Sequence, residues 1–130
     1  MKIQLVRGTH DYFGIDLKKI KFIEKKIRNR ASSFGFNEIV TPIFESSNLF
    51  KKPLGEHSDV VLKEMYSFKD RNNTSLTLRP EYTTPIIRAA ISNKLLNKLP
   101  RKIFGIGSMF RRERPQKGRF RQFNQMNFEI

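Results

Sequence analysis

The chain has 130 residues, 38% of them hydrophobic, with 12 Phe and no Trp. That composition suits one folded domain and excludes both a disordered tail and two ordinary domains. Its 26 Lys and Arg against 12 Asp and Glu leave a formal net charge of +14, and the absence of cysteine excludes disulfides, zinc–thiolate sites and a cysteine nucleophile.

A charge excess of this size points to a polyanionic partner, because each cation set on a phosphate releases condensed counterions. An anionic membrane surface would attract it too, and the Lys-rich stretch 18–26 also reads as an ordinary solvated helix face. Met1 to Asp11 hold no sustained apolar run, and no segment approaches the roughly 20 apolar residues of a membrane span. A soluble cytoplasmic protein without a membrane partner is the expectation.

Arg7-Gly8-Thr9-His10-Asp11 reads as a turn-rich lead-in, with Arg7 and Asp11 expected to tie it to the body. Asp16 is a candidate N-cap for a helix whose stripe is Leu17, Ile20, Ile23, Ile27, Ala31 and Phe34, with Gly35 as its stop. Phe36 to Phe44 is β-like, but Pro42 cannot donate to a ladder, so the strand belongs at an edge or an interface. Residues 45–58 read as irregular and partly helical. Segments 65–69 and 76–79 flank Asp70-Arg71-Asn72-Asn73 as a β-hairpin. A second helix follows, with Thr84 as N-cap, Pro85 in its first turn, a buried face of Ile86, Ile87, Ala90, Ile91 and Leu95, and Pro100 closing it. Ile103–Glu113 and Arg121–Glu129 read as two strands around the basic loop 114–120. The order predicts an α+β fold, one antiparallel sheet flanked by helices.

Alternation puts Gly105, Gly107, Met109 and Arg111 on one face of the first of these strands, and Arg121, Phe123, Gln125, Asn127 and Glu129 on one face of the second. The glycines would leave floor space for a ligand lying on the backbone. Arg suits phosphate oxygens, an aromatic suits a base, and carboxylate and amide suit an ammonium group. By alternation alone, a wetted sheet face explains the same pattern.

The literal sequence adds to this. Phe110 to Gln125 resembles motif 2 of the histidyl-tRNA synthetases, nearly letter for letter. Leu78-Arg79-Pro80-Glu81-Tyr82-Thr83 resembles their segment for the substrate amino group, and Thr41-Pro42-Ile43-Phe44-Glu45 is similar to motif 1. Leu49-Phe50, Gly55-Glu56, Ser58 to Val61 and Lys63 to Phe68 also fit, so the resemblance runs from Arg7 to Glu129. It implies the N-terminal part of a class II catalytic core, with motif 1 at about 17–45 and motif 2 at about 103–129. Motif 3, the imidazole-reading segments and the anticodon-binding domain have no counterpart in these residues, and this stretch alone is expected to be inactive.

The resemblance implies ATP-dependent attachment of histidine to tRNA(His) through a histidyl-adenylate. The implied roles are Arg111 as catalytic residue on the α-phosphate and the transition state, and Glu113, Arg119 and Phe123 beside it on ATP. Glu81, Thr83, Arg111, Gln125 and Glu129 would bind histidine, and Gln116 and Lys117 would approach the tRNA acceptor end. Mg2+ would accompany ATP, no metal site of the chain's own is expected, and the motif 1 region would form a homodimer. His10 and His57 read as surface or loop residues, and Glu56, Asp59 and Glu64 as solvated or ion-paired carboxylates. Two departures stand out: His10 where the family usually has Arg, and Tyr82 where Gly is common, at the expected pocket rim.

Other readings stay open. One is a non-catalytic, histidine-binding regulatory subunit of ATP phosphoribosyltransferase, which shares the fold but typically lacks the complete motif 2 loop. The others are a nucleic-acid-binding module argued from charge, which leaves Glu81, Gln125 and Glu129 unexplained, and a synthetase of another class II specificity.

Overall fold

The computed structural model describes residues 3–98 and 101–130. Helix α1 (Gly14–Ser33) begins two residues before the expected cap: Asp16 lies in its first turn, and Phe13 precedes it without a side-chain cap. The helix ends at Phe34, and Gly35 takes φ +78°, the left-handed conformation that glycine adopts without strain. Its inward side holds Ala31, Ile20 and Ile27, while Leu17, Ile23 and Phe34 of the expected stripe are exposed. Arg28 ties the helix to the chain beyond it, donating to both carboxylate oxygens of Glu38 at 3.0 Å and to Glu24 at 3.3 Å. Burial acts to raise the Glu24 carboxyl, but hydrogen bonds from Lys21 and Arg28 outweigh it and hold the group below its ordinary value.

The expected strand 36–44 is in fact divided. Strand β1 (Asn37–Glu38) pairs in parallel with β5 (Ile103–Phe110), and β2 (Phe44–Ser46) pairs antiparallel with β4 (Ser75–Leu78) in a second sheet. Pro42 falls between them, where the missing N–H interrupts no ladder, and both pieces are edge strands. The expectation of one antiparallel sheet is corrected accordingly. The class remains α+β, but the strands form two three-stranded sheets, β1-β5-β6 and β2-β4-β3, and the first is mixed.

Helix α2 (Ser47–Leu54) and one turn of π-helix (Val60–Glu64) occupy the irregular connection. The hairpin of β3 (Tyr66–Lys69) and β4 forms as expected. Its turn is held by Asp70 Oδ1, which accepts from the backbone N–H of Asn72 (2.9 Å) and Thr74 (2.8 Å), with Asn73 at φ +65°.

Helix α3 (Thr83–Ser92) starts one residue before Thr84, which is therefore not its cap. The Glu81 carboxylate takes that role, accepting the Thr84 N–H at 3.0 and 3.3 Å. The helix buries Ile86, Ala89 and Ala90, whereas Ile87 and Ile91, expected inside, are exposed and line an apolar groove against Leu49 and Pro53 of α2. Asn93 ends it, its side chain donating to Ala89 O at 2.8 Å; Pro100, expected to close it, lies outside the described residues.

The main core unites Tyr82, Ile86 and Ala90 with Ile103 and Met109 of β5, and Ile39, Leu95 and Phe123 pack at its margin. Arg79 joins the two sheets. Its backbone N–H donates to Ile43 O and its carbonyl accepts from Phe110 N. Its buried guanidinium donates to Ser108 O (2.9 Å) and to Thr41 O (2.9 Å) and Oγ1 (3.2 Å).

Candidate active site

Strands β5 and β6 (Gln122–Glu129) pair antiparallel from Ile103↔Glu129 to Phe110↔Gln122. This register sets Gly105 beside Asn127, Gly107 beside Gln125 and Met109 beside Phe123, all on one face. The pleat thus brings the two sequence-predicted rows together. It does not leave the glycine floor open. A Cβ on Gly105 would lie 2.6 Å from Tyr82 Cε1, and one on Gly107 would collide with the Arg79 guanidinium. The glycines make room for the chain's own buried Tyr82 and Arg79 rather than for a ligand, and Met109 is fully buried in the core. Tyr82 likewise is a core residue, 0% exposed, and not a pocket rim.

Along β6 the same face stays partly open: Phe123, Gln125, Asn127 and Glu129 are each half-buried, alternating with exposed residues. Asn127 donates to Thr83 Oγ1 at 2.8 Å and to the Glu129 carboxylate, so Thr83 and Glu129 stand at one end of the face. Gln125 Oε1 is buried with no partner, an acceptor aimed into this region whose donor the described residues do not supply. Glu81 sits beside Thr83, already accepting from the first turn of α3.

At the other end, β5 stops at Phe110, three residues short of the expected Glu113, and the chain turns into the basic loop. Arg111 is anchored by donating from Nε to Pro80 O at 2.9 Å, with its guanidinium 5.1 Å from the Phe123 ring centroid. Glu113 lies between two cations, 3.8 Å from Arg111 and 3.9 Å from Arg119. Arg111, Glu113, Arg119 and Phe123, with Glu64 and Phe120, line a cavity of about 440 Å³. The residues expected on ATP therefore share one cavity; of those expected on histidine, Arg111 lies there too, while Thr83 and Glu129 meet through Asn127 at the other end of the sheet face.

Two placements differ from expectation, those of Arg121 and Arg7. Arg121 lies outside β6; its backbone N–H donates to Gly8 O at 2.7 Å, and its side chain lies against the lead-in turn. Gln116 and Lys117 are exposed and line a separate cleft against residues 5–10. The lead-in is held by Gly8 and His10 rather than by Arg7, whose side chain makes no hydrogen bond or ion pair among the described residues.

Sequence reasoning passed over Glu64 because its irregular spacing with Glu56 and Asp59 carries no pattern. Asp59 does pair with Lys63 at 2.9 Å, but Glu64 lines the same cavity as Arg111 and Arg119, and its carbonyl accepts from Arg112 N at 2.6 Å. Nothing in a single sequence marks that long-range meeting. Among the described residues, no three His, Asp or Glu side chains group as a metal site, and no helix is long and apolar enough to cross a membrane.

The model of one family, described as histidyl-tRNA synthetase, matches residues 8–130. The histidine–tRNA ligase of Rhodospirillum rubrum is 52% identical over 98% of this chain, and that of Thermotoga maritima is 47% identical over 100% of it. The chain spans 31% of the length of each of these relatives. Among solved structures, the apo histidyl-tRNA synthetase of S. aureus superposes with a TM-score of 0.80 at 36% identity, over 98% of this chain and 28% of that one. A Bacillus halodurans protein described as an ATP phosphoribosyltransferase regulatory subunit/histidyl-tRNA synthetase shares the fold, with a TM-score of 0.78 at 22% identity over 98% of this chain and 32% of that one. With its two sequence-predicted rows on one sheet face, its basic loop complete and its matches running nearly end to end, this chain belongs to the histidyl-tRNA synthetase family.

Proposed function

We propose that the intact protein attaches histidine to tRNA(His) in two steps. A histidine carboxylate oxygen attacks the α-phosphorus of ATP and pyrophosphate leaves. A ribose hydroxyl of the terminal tRNA adenosine then attacks the histidyl carbonyl and AMP leaves. The observation that carries this reading is the cavity in which Arg111, Glu113, Arg119 and Phe123 converge, at the end of a sheet face whose acceptors are Gln125, Glu129 and Thr83.

Arg111 is the catalytic residue. The Pro80 carbonyl fixes its Nε, so its remaining donors are already oriented when charge builds on the α-phosphate. Glu113 balances Arg111 and Arg119 before ATP arrives and turns to the adenine amino group once phosphates take those cations. Phe123 offers its ring to the base, and Arg119 reaches the terminal phosphates. Glu81, Thr83, Gln125 and Glu129 receive the α-ammonium of histidine, and the orphaned Gln125 Oε1 is an acceptor in need of such a donor. Gln116 and Lys117 meet the acceptor end.

Mg2+ fits the cavity as a companion of ATP. The lining offers Glu113, already between two arginines, and Glu64, to which no described cation bridges, a donor set too small to hold the ion without phosphate oxygens. When bound, the ion neutralises phosphate charge.

A cytoplasmic homodimer is part of the same proposal. Val40, Ile43 and Phe44 are exposed around the Pro42 segment, an apolar surface that a second copy would cover. Histidine-dependent ATP–pyrophosphate exchange by the intact protein tests the activity. Exchange that needs histidine and no other amino acid is expected; tight histidine binding without exchange would instead favour the regulatory-subunit reading. Sedimentation should give a dimer, and a monomer at micromolar concentration would contradict the Pro42 assignment.

A further inference from the structure

A second cleft lies beside the nucleotide cavity, and the lead-in builds one of its walls. Thr9 closes a turn onto Val6 O, with its N–H at 3.1 Å and its hydroxyl at 2.7 Å, and Gly8 takes φ +86°. The Gly8 carbonyl accepts from Arg121 N at 2.7 Å, which fastens the turn to the root of the basic loop. A Cβ on Gly8 would stand 2.9 Å from Arg121 Cγ and 3.0 Å from Pro115 Cγ, so only glycine allows so close an approach in this conformation. His10 meets Phe120 edge-to-face, with ring centroids 4.5 Å apart. Between this turn and the loop is a cleft of about 440 Å³, with Arg7 and His10 on one side and Gln116, Lys117 and Arg119 on the other. Arg119 and Phe120 also line the nucleotide cavity, so the two spaces adjoin.

The lining is unbalanced in charge. It includes three cationic side chains, Arg7, Lys117 and Arg119, and no carboxylate. Arg119 has Glu113 at 3.9 Å, while Arg7 and Lys117 are exposed and bridge to no described acid. Cations for phosphates, rings for bases and an amide for a base edge are the combination that holds single-stranded nucleic acid. An anionic protein segment would find the cations but no use for the aromatic edges.

We infer that Arg7 contacts a phosphate of the single-stranded acceptor end of the tRNA, and that His10, through Phe120, is a positioning residue for the opposite wall. The lead-in and the basic loop then grip the RNA from two sides. The inference rests on the aminoacylation reading above and extends it to residues outside the loop. It also gives Arg7 a function in place of the structural tie expected from sequence, which the geometry leaves to Gly8.

The test uses the intact protein with Arg7→Ala and Arg7→Glu. Charging of tRNA(His) should show a KM raised about 5- to 10-fold for Arg7→Ala and further for Arg7→Glu, with kcat nearly unchanged. The salt dependence of tRNA(His) binding, measured by filter retention, should lose about 0.7 from its log–log slope, as expected for one phosphate contact on a single strand. Histidine-dependent pyrophosphate exchange, which needs no tRNA, should stay within about twofold. A wild-type KM and slope in Arg7→Ala would overturn the inference. So would equal losses in exchange and charging, which mean a structural role. Absence of exchange in the wild-type protein would instead defeat the aminoacylation reading, while filter retention would still report whether Arg7 holds the RNA.

Discussion

Strands β5 and β6 present one continuous face, yet its two halves do opposite things. On β5, Ile103, Gly105, Gly107 and Met109 lie under α3, the Tyr82 ring and the Arg79 guanidinium. On β6, Phe123, Gln125, Asn127 and Glu129 border open space and carry most of the polar groups. Neighbouring residues in one register therefore differ not in pleat but in cover. A glycine row beside a polar row reads equally as a ligand floor or as clearance for a buried side chain. Here the second holds, because Tyr82, just before α3, lays a large aromatic ring over Gly105. The part of this face that stays partly open is the strip that Tyr82 leaves uncovered.

Substitutions on the two halves should separate stability from chemistry. Tyr82→Ala would empty the space over Gly105 and is expected to cost about 3–5 kcal/mol of folding stability, read by denaturant unfolding of the intact protein. A loss below about 1 kcal/mol would mean that the ring is not the cover described. Arg111→Ala should leave stability nearly intact and lower adenylate formation by about 100-fold or more, equivalent to about 2.7 kcal/mol of transition-state stabilisation. An unchanged single-turnover rate would remove Arg111 from the mechanism. Gly105→Ala, whose Cβ would press on the Tyr82 ring, should cost about 1–3 kcal/mol in stability with little change in KM for histidine. The smallest effect is expected from Glu129→Gln, which keeps the shape and removes the charge: KM for histidine should rise about 10-fold at near-normal stability. A normal histidine dependence would exclude Glu129 from the ammonium pocket.

Much of this was legible in the residues. The 3–4 residue spacing of apolar side chains located α1 and α3, and the turn residues from Asp70 to Asn73 located the hairpin, because these signals act within one or two turns of chain. Alternation placed Phe123, Gln125 and Glu129 together, and the register kept them together. Periodicity failed where the partner decides. Ile87 and Ile91 fit an apolar stripe, but α3 packs on β5 through Ile86, Ala89 and Ala90, so the stripe is turned away. Leu17 and Ile23 are periodic and still exposed. Thr84 looks like a cap, yet a carboxylate three residues before its N–H reaches it first.

By itself the sequence determined the local elements, the charge, the residues of the basic loop and, through its literal likeness, the family. Tertiary structure alone decided the rest. It sent the two halves of 36–44 to different sheets on either side of Pro42 and filled the glycine rows with Tyr82 and Arg79. It also brought Glu64 to the cavity lined by Arg111 and Arg119, and set Arg7 and Lys117 in one cleft. Those outcomes depend on which surfaces meet between residues tens of positions apart. Burial and close packing choose such contacts by total fit, and no pattern within a few residues records that choice.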